Sequence, residues 1–451
     1  MTNKYPWFFG AVVYEIYPRS FYDTDGDGVG DLEGIIEKLD YLNGKPNSLG
    51  VNAIWLSPFY RSPMVDFGYD ISNYTNVDPL FGDLKVFKLL TKEAHKRNIK
   101  VMIDFVPNHT SDKHPWFLES KSSKQNPKRD WYVWQDAKSG NSPPNNWLSV
   151  FGGSAWEYSI KTNQYYLHSF LKQQPDLNWD NPEVRHAIQN AMKFWLELGV
   201  DGFRIDSAYY LSKDPTYQND PINHEYDPVS GDPYTALKHI NSKHGPNLTK
   251  YLRELTSLVK SYKDRFMILE AHPEKTFDVS AYVQLYNDID ATVCAPFNFE
   301  EISLPWDASA YKTCIDQFQA RLKSIDLPVY NFGNHDRSRL VTRIGKQAAR
   351  TTAMLQITLP GMPVMYYGDE LGMRDVKIPR SLVKDPFEKN VPDRKLGRDP
   401  ERTPMQWSSS INAGFSTTTP WLPVSGDFHI QNVNKQLKDH KSFLNLYRSL
   451  L

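Results

Sequence analysis

The chain has 451 residues, 40% of them hydrophobic, enough to bury a large core in one big domain with an inserted module or in two to three domains. With 52 basic and 53 acidic side chains, its formal charge of −1 gives no electrostatic footing for nucleic acid or for an anionic membrane surface. The first residues lack a signal-peptide pattern, no apolar run reaches the ~18 residues of a membrane span, and two cysteines, Cys294 and Cys314, make no disulfide framework; the expectation is a cytoplasmic protein.

Short β-rich apolar runs fall at 11–17, 52–57, 100–106, 202–206, 266–270, 291–297, 327–332 and 363–367. Between most of them lie helical patterns. In 183–198, Val184, Ile188, Met192, Trp195 and Leu196 share one face, and 248–262, 310–325 and 435–450 read the same way. Eight strands alternating with helices predict an α/β fold, a (β/α)8 barrel. Two stretches interrupt it. Residues 108–176, rich in Trp, Ser, Asn and Pro, exceed any ordinary strand-to-helix loop and predict a small inserted domain; 368–423 is a second long, Pro-rich excursion. The barrel is thus divided into 1–107 and 177–451 around the insert.

After the first strand comes Asp23-Thr-Asp-Gly-Asp-Gly-Val-Gly-Asp31. Acids alternating with turn-forming glycines offer hard oxygen ligands to Ca2+, or to Mg2+, as in the first half of an EF-hand loop. Other polar residues gather where strands end: Asp104, Asn108 and His109 after the third, Arg204 and Asp206 on the fourth, Glu270 on the fifth, and Asn334, His335 and Asp336 on the seventh. Active sites of such barrels sit at the C-terminal ends of the strands. Acids on three strand ends of one rim point to catalysis, where a single one would read as a structural hydrogen-bonder. An aromatic content of 14% suits stacking on sugar rings as well as it suits a large core.

These segments resemble the α-amylase superfamily, glycoside hydrolase family 13: DFVPNHTSD at 104–112, GFRIDS at 202–207, ILEAH at 268–272 and FGNHD at 332–336. QPDLNW at 174–179, AVVYEIYPRSF, GYDISNY and RTPMQW at 402–407 are similar to its oligo-1,6-glucosidase and α-glucosidase branch. The resemblance implies Asp206 as nucleophile, Glu270 as general acid then base, and Asp336 as the stabiliser of the distorted transition state. It implies His109 and His335 as donors to sugar hydroxyls and Tyr69 stacked under the glucose. It also implies an ion pair of Asp70 with Arg402 closing the non-reducing end of the pocket. Arg204, two residues before Asp206 on one strand, should share its face and keep it ionised, while Glu270 should be raised to hold a proton. By the same resemblance Asp23, Asp25, Asp27, Asp31 and the carbonyl near Val29 would hold a structural Ca2+.

The implied activity is that of a retaining exo-acting α-glucosidase on a small α-glucoside substrate, with a monomer expected. Ser207 after the nucleophile leans towards maltose-type substrates, with sucrose and isomaltose as further candidates. A transglycosylating or isomerising relative, of the sucrose isomerase or trehalose synthase type, would use the same glycosyl-enzyme. An amylase-like transporter heavy-chain domain would carry a membrane anchor and the most divergent ones lack the acids. His272 either contacts the leaving-group sugar or fills space beside Glu270. Family members usually continue into a C-terminal β-sandwich; here the last barrel helix ends the sequence, and the expectation is a fragment or a missing sandwich, with a barrel face left to find another contact.

Overall fold

The structure, a computed structural model, describes residues 5–274 and 278–451. Eight parallel strands close a barrel: β1 Val13–Ile16, β2 Ala53–Leu56, β3 Lys100–Phe105, β4 Gly202–Ile205, β5 Phe266–Leu269, β6 Cys294–Asn298, β7 Val329–Asn331 and β8 Met362–Tyr366. Each pairs with its sequence neighbours, and β8 returns to β1 through Val13 opposite Val364. Each predicted run overlaps one of these strands, and no strand extends more than one residue beyond its run. They are buried on both faces, which is why they read as continuous apolar runs and not as alternation. Gly202 opens β4 because a Cβ there would lie 2.3 Å from the Phe266 carbonyl oxygen.

Helix limits follow their caps. Asn181 accepts from the Glu183 N–H and Pro182 takes the first turn of the helix Pro182–Glu197, whose Val184, Ile188, Met192, Trp195 and Leu196 are buried as the pattern predicts. The helix expected over 310–325 runs Ala308–Gln319, since beyond it the Lys323 N–H turns to Asp326 (2.8 Å). The single helix expected over 435–450 is two, Val433–Gln436 and Phe443–Leu450. The Gln436 side chain accepts the Leu444 N–H and Ser442 caps the second helix, so local side-chain bonds replace a continuous ladder.

Within 108–176 lies an antiparallel three-stranded sheet, in the order 134–136, 164–167, 156–159, with its own small core of Val133, Trp147, Ala155, Trp156, Tyr165 and Leu167. A short hairpin, Tyr60–Arg61 with Asn73–Val77, was not foreseen; it carries the loop 62–72 to the mouth of the barrel. The 368–423 excursion folds back on the first loop, where Trp421 packs on Tyr17 and against the Arg19 guanidinium.

Near the end of β6, Glu301 is fully buried with one oxygen on Asn298 (2.9 Å) and the other without a hydrogen-bond partner among the described residues. Burial pushes its carboxyl up to about 8. The folded chain therefore binds a proton there that the unfolded chain releases above about pH 4.3, so stability declines as pH rises from there towards 8. Glu301→Gln is expected to be near neutral at pH 5 and stabilising at pH 8.5, read from urea midpoints; equal effects at the two pH values would refute this.

Candidate active site

Register builds the centre of the site. Asp104 on β3 stands opposite Arg204 on β4, both inward. Asp206 and Glu270 follow β4 and β5 by one residue, and their N–H groups still bond into the barrel, to Phe105 O and Ile205 O, each at 2.9 Å. The carboxyls are thereby anchored by main chain and not by a loose loop. Ser207 adopts φ 50°, a strained left-handed conformation for a residue with a Cβ, and this turns its N–H onto Glu270 Oε2 at 2.9 Å.

Arg204 holds three acids at once. Its Nη1 lies 2.9 Å from Asp104 and 2.6 Å from Asp206, and its Nη2 lies 2.8 Å from Glu270. Asp104, Arg204 and Asp206 are buried, and the Glu270 side chain is 15% exposed. Burial dominates at Asp206 and pushes its carboxyl well above the usual range, against the pull of Arg204. At Glu270 burial also raises, but Arg204 and then His272 outweigh it and bring the carboxyl down to about 2. The expectation was a raised Glu270 beside a charged Asp206; in the folded chain both carboxyls bind the same guanidinium. One cation serves both, so they titrate as a single unit.

Asp336 lies across from them. Its Oδ1 accepts from Arg402 (2.7 Å) and Arg398 (3.2 Å), and its Oδ2 meets His335 Nε2 at 3.1 Å. Burial is outweighed by His335, Arg402 and Arg398, which hold this carboxyl far below the usual range. His335 is sandwiched between the rings of Tyr17 and Tyr69, its Nδ1 on Glu15 (2.5 Å) and its Nε2 also on the Tyr69 hydroxyl (2.8 Å). Tyr69 bonds Asp104 as well (3.0 Å). His109 is buried, its Nε2 within 3.2 Å of the Tyr69 carbonyl and of Gln174 Nε2, and burial lowers it to about 4, so it is neutral.

The expected Asp70–Arg402 ion pair does not form. Asp70 is wholly engaged inside its own loop, accepting from Ser62 Oγ (2.9 Å) and the N–H groups of Val65 (2.9 Å) and Asp66 (3.0 Å). Arg402 points at Asp336 and the His335 carbonyl. An acid–arginine pair forms four residues earlier on each side instead: Arg398 Nη2 bonds Asp66 (3.0 Å) and Asp385 (2.8 Å), with the guanidinium over the Phe151 ring of the inserted segment at 4.8 Å. Arg398, Asp66, Asp385, Phe151 and Glu15 were all missed. The same residue types stand four positions away in the same segments, and only three-dimensional placement separates Asp66 from Asp70 and Arg398 from Arg402.

In the acidic loop, Asp23, Asp25 and Asp27 bring carboxylate oxygens within 4.8 Å of one another. Gly26 and Gly28, both at positive φ, let the chain double back, and their N–H groups bond Asp23 (2.7 and 2.9 Å). Asp31 stands apart from the three: its oxygens cap the helix Leu32–Leu42 through Gly34 N–H (2.6 Å) and hold Thr24. Burial and then the neighbouring Asp25, Asp23 and Asp31 charges raise Asp27. Closely set carboxylates that repel one another fit a hard cation. The loop is tied to the last excursion by Ser416 on Asp23 (2.5 Å) and Thr418 on the Gly26 carbonyl (2.8 Å).

A closed parallel barrel with acids set around one guanidinium at its C-terminal rim is the architecture of an enzyme active site. The α-amylase catalytic-domain family matches residues 15–451, so the chain belongs to that family and is a glycoside hydrolase. It is 40% identical to oligo-1,6-glucosidase of Parageobacillus thermoglucosidasius, over 99% of this chain and 83% of that protein, and 39% identical to α-glucosidase of Apis mellifera, over 97% and 76%. Among solved structures it is similar to the α-glucosyl transfer enzyme XgtA, with a TM-score of 0.92 and 40% identity over 99% of this chain and 83% of that one. It is also similar to the trehalulose synthase MutB, with a TM-score of 0.86 and 36% identity over 99% and 83%. Among the described residues no helix is long and apolar enough to cross a membrane.

Proposed function

We propose that the chain is a retaining, exo-acting α-glucosidase of short α-glucosides, maltose-type first, with isomaltose and sucrose as further substrates. The observation that carries this reading is the pair Asp206 and Glu270 on the two amino nitrogens of Arg204, with Asp336 facing them. Retention needs two carboxyls about 5 Å apart, close enough for one to attack the anomeric carbon while the other serves the leaving oxygen. Asp206 is the nucleophile, Glu270 the acid and then the base. Asp336, held between Arg398, Arg402 and His335, binds the sugar hydroxyls, and its fixed negative charge favours the cationic transition state. Arg398, bound to Asp66, Asp385 and Asp336 and set over Phe151, would close the non-reducing end of the site, which suits removal of single glucose units. The two buried free cysteines suit a reducing cytoplasm.

Proton NMR of fresh digests of maltose, isomaltose, sucrose and trehalose tests the reading. Glucose released first as the α-anomer is expected; first release of the β-anomer would overturn retention. A second reading, glucosyl transfer to another sugar, draws on the likeness to XgtA and MutB. New disaccharides from sucrose at high concentration would favour it.

We also propose that Asp23, Asp25 and Asp27, with the main chain near Val29, hold Ca2+ as a structural tie, Mg2+ being the weaker fit in so irregular a loop. A cation binding only the folded chain stabilises it by about 2.7 kcal/mol at 100 Kd. Millimolar Ca2+ is expected to raise the melting midpoint and EDTA to lower it, with both responses lost in the Asp25→Asn, Asp27→Asn double variant. A midpoint indifferent to both additives would sink the assignment.

A further inference from the structure

We propose that His272 is the proton partner of Glu270, passing to and from Glu270 Oε1 the proton that the acid/base exchanges during glycoside cleavage. The inference rests on the reading of Glu270 as acid/base and extends it to a residue that sequence reasoning could leave as packing.

The geometry divides the Glu270 carboxyl into two unlike oxygens. Oε2 accepts from Arg204 Nη2 (2.8 Å) and from the Ser207 N–H (2.9 Å), so it is filled with donors and cannot carry a proton. Oε1 is left to exchange one, and its partner among the described residues is His272 Nε2 at 3.3 Å. Arg204 thus stands between Glu270 and Asp206, and a proton reaches the acid from the other side.

The imidazole is placed for that task. Its side chain is 48% exposed where that of Glu270 is 15% exposed, so the ring spans from the buried carboxyl to solvent. Its plane is held by stacking on Phe299 at 4.5 Å and 15°, and Phe299 in turn stacks on Phe297 of β6 at 4.9 Å. The charged and titratable groups facing the pair are Arg204 and Asp206 from β4 and its end, Asp336 from the end of β7, and Tyr210 from the turn beyond Asp206. His272 is thus the group that links Glu270 Oε1 to solvent.

The proton count closes. In the first step the Glu270 Oε1 proton goes to the glycosidic oxygen as its bond to the anomeric carbon breaks and the Asp206 carboxylate bonds that carbon. In the second step water attacks the same carbon, the ester bond to Asp206 breaks, and the water proton goes to Oε1. The carboxyl is then protonated for the next turnover, and His272 Nε2, exchanging protons with solvent through its exposed edge, restores the proton to Oε1 whenever the free enzyme has lost it.

Two variants and two substrates test this. His272→Phe keeps the stack and removes the nitrogens; His272→Gln keeps a hydrogen-bonding group that cannot carry a proton. kcat/KM is followed against pH for maltose, whose leaving oxygen needs a proton, and for p-nitrophenyl α-glucoside, whose leaving group does not. Both variants are expected to lose about 100-fold on maltose at pH 7 and less than about threefold on the nitrophenyl substrate, with the alkaline limb for maltose moved to higher pH, since the contact with His272 lowers the Glu270 carboxyl. Equal losses on the two substrates, or a His272→Gln enzyme matching the parent on maltose with an unmoved limb, would overturn the proposal. Failure of the underlying reading is a separate result: Glu270→Gln would then keep maltose activity.

Discussion

Asp206→Asn is expected to leave a folded barrel that turns over no α-glucoside, with kcat lower by about four orders of magnitude or more. An amide oxygen cannot form the glycosyl ester, and no other carboxyl takes its place: Asp104 is buried on Arg204 and bonded to Tyr69, and Asp336 is held by two arginines. The change should not cost stability. Three acids share Arg204, and burial already disfavours the charged form of Asp206, so removing that charge relieves a cluster with more anions than cations. A melting midpoint equal to or above that of the parent, together with lost turnover of maltose and of p-nitrophenyl α-glucoside, is the expected pair of results. Turnover within tenfold of the parent would sink the mechanism.

Arg204→Met should have the largest effect on stability. The side chain is 3% exposed and is the partner common to Asp104, Asp206 and Glu270. Removing one partner of a buried ion pair costs about 3–5 kcal/mol, because the charges left behind are neither solvated nor paired. The pH dependence carries a sign. Without the guanidinium, the folded-state carboxyls rise above their unfolded values. The folded chain then binds more protons than the unfolded chain, and stability falls as pH climbs past about 4. The deficit against the parent should therefore be larger at pH 7 than at pH 4.5 in urea unfolding; equal deficits would show that the loss is one of packing. Arg204→Lys should recover little, since one ammonium cannot present two nitrogens to carboxyls on separate strands.

Much of this was legible without coordinates. Strand runs of four to six buried residues were found because parallel strands covered on both faces are apolar throughout. The rim acids were found because a strand end in such a barrel has only one place to point. Helix lengths were less legible. Side-chain bonds such as that of Gln436 to Leu444 N–H end a helix wherever geometry permits, and the hydrophobic pattern runs on regardless.

What the sequence by itself determined was the barrel and the identity of the three rim acids, since both follow from local composition and the order of strands. Only the tertiary structure decided partnership. Arg204 turned out to serve Asp104, Asp206 and Glu270 together, which couples the last two. Arg398 with Asp66, and not Arg402 with Asp70, formed the ion pair. Asp31 became a helix cap and His272 the neighbour of the acid. An ion pair or a proton relay depends on which groups distant in the chain meet in a buried place, at distances where a few ångströms decide the sign of the interaction. No spacing along the chain contains that information.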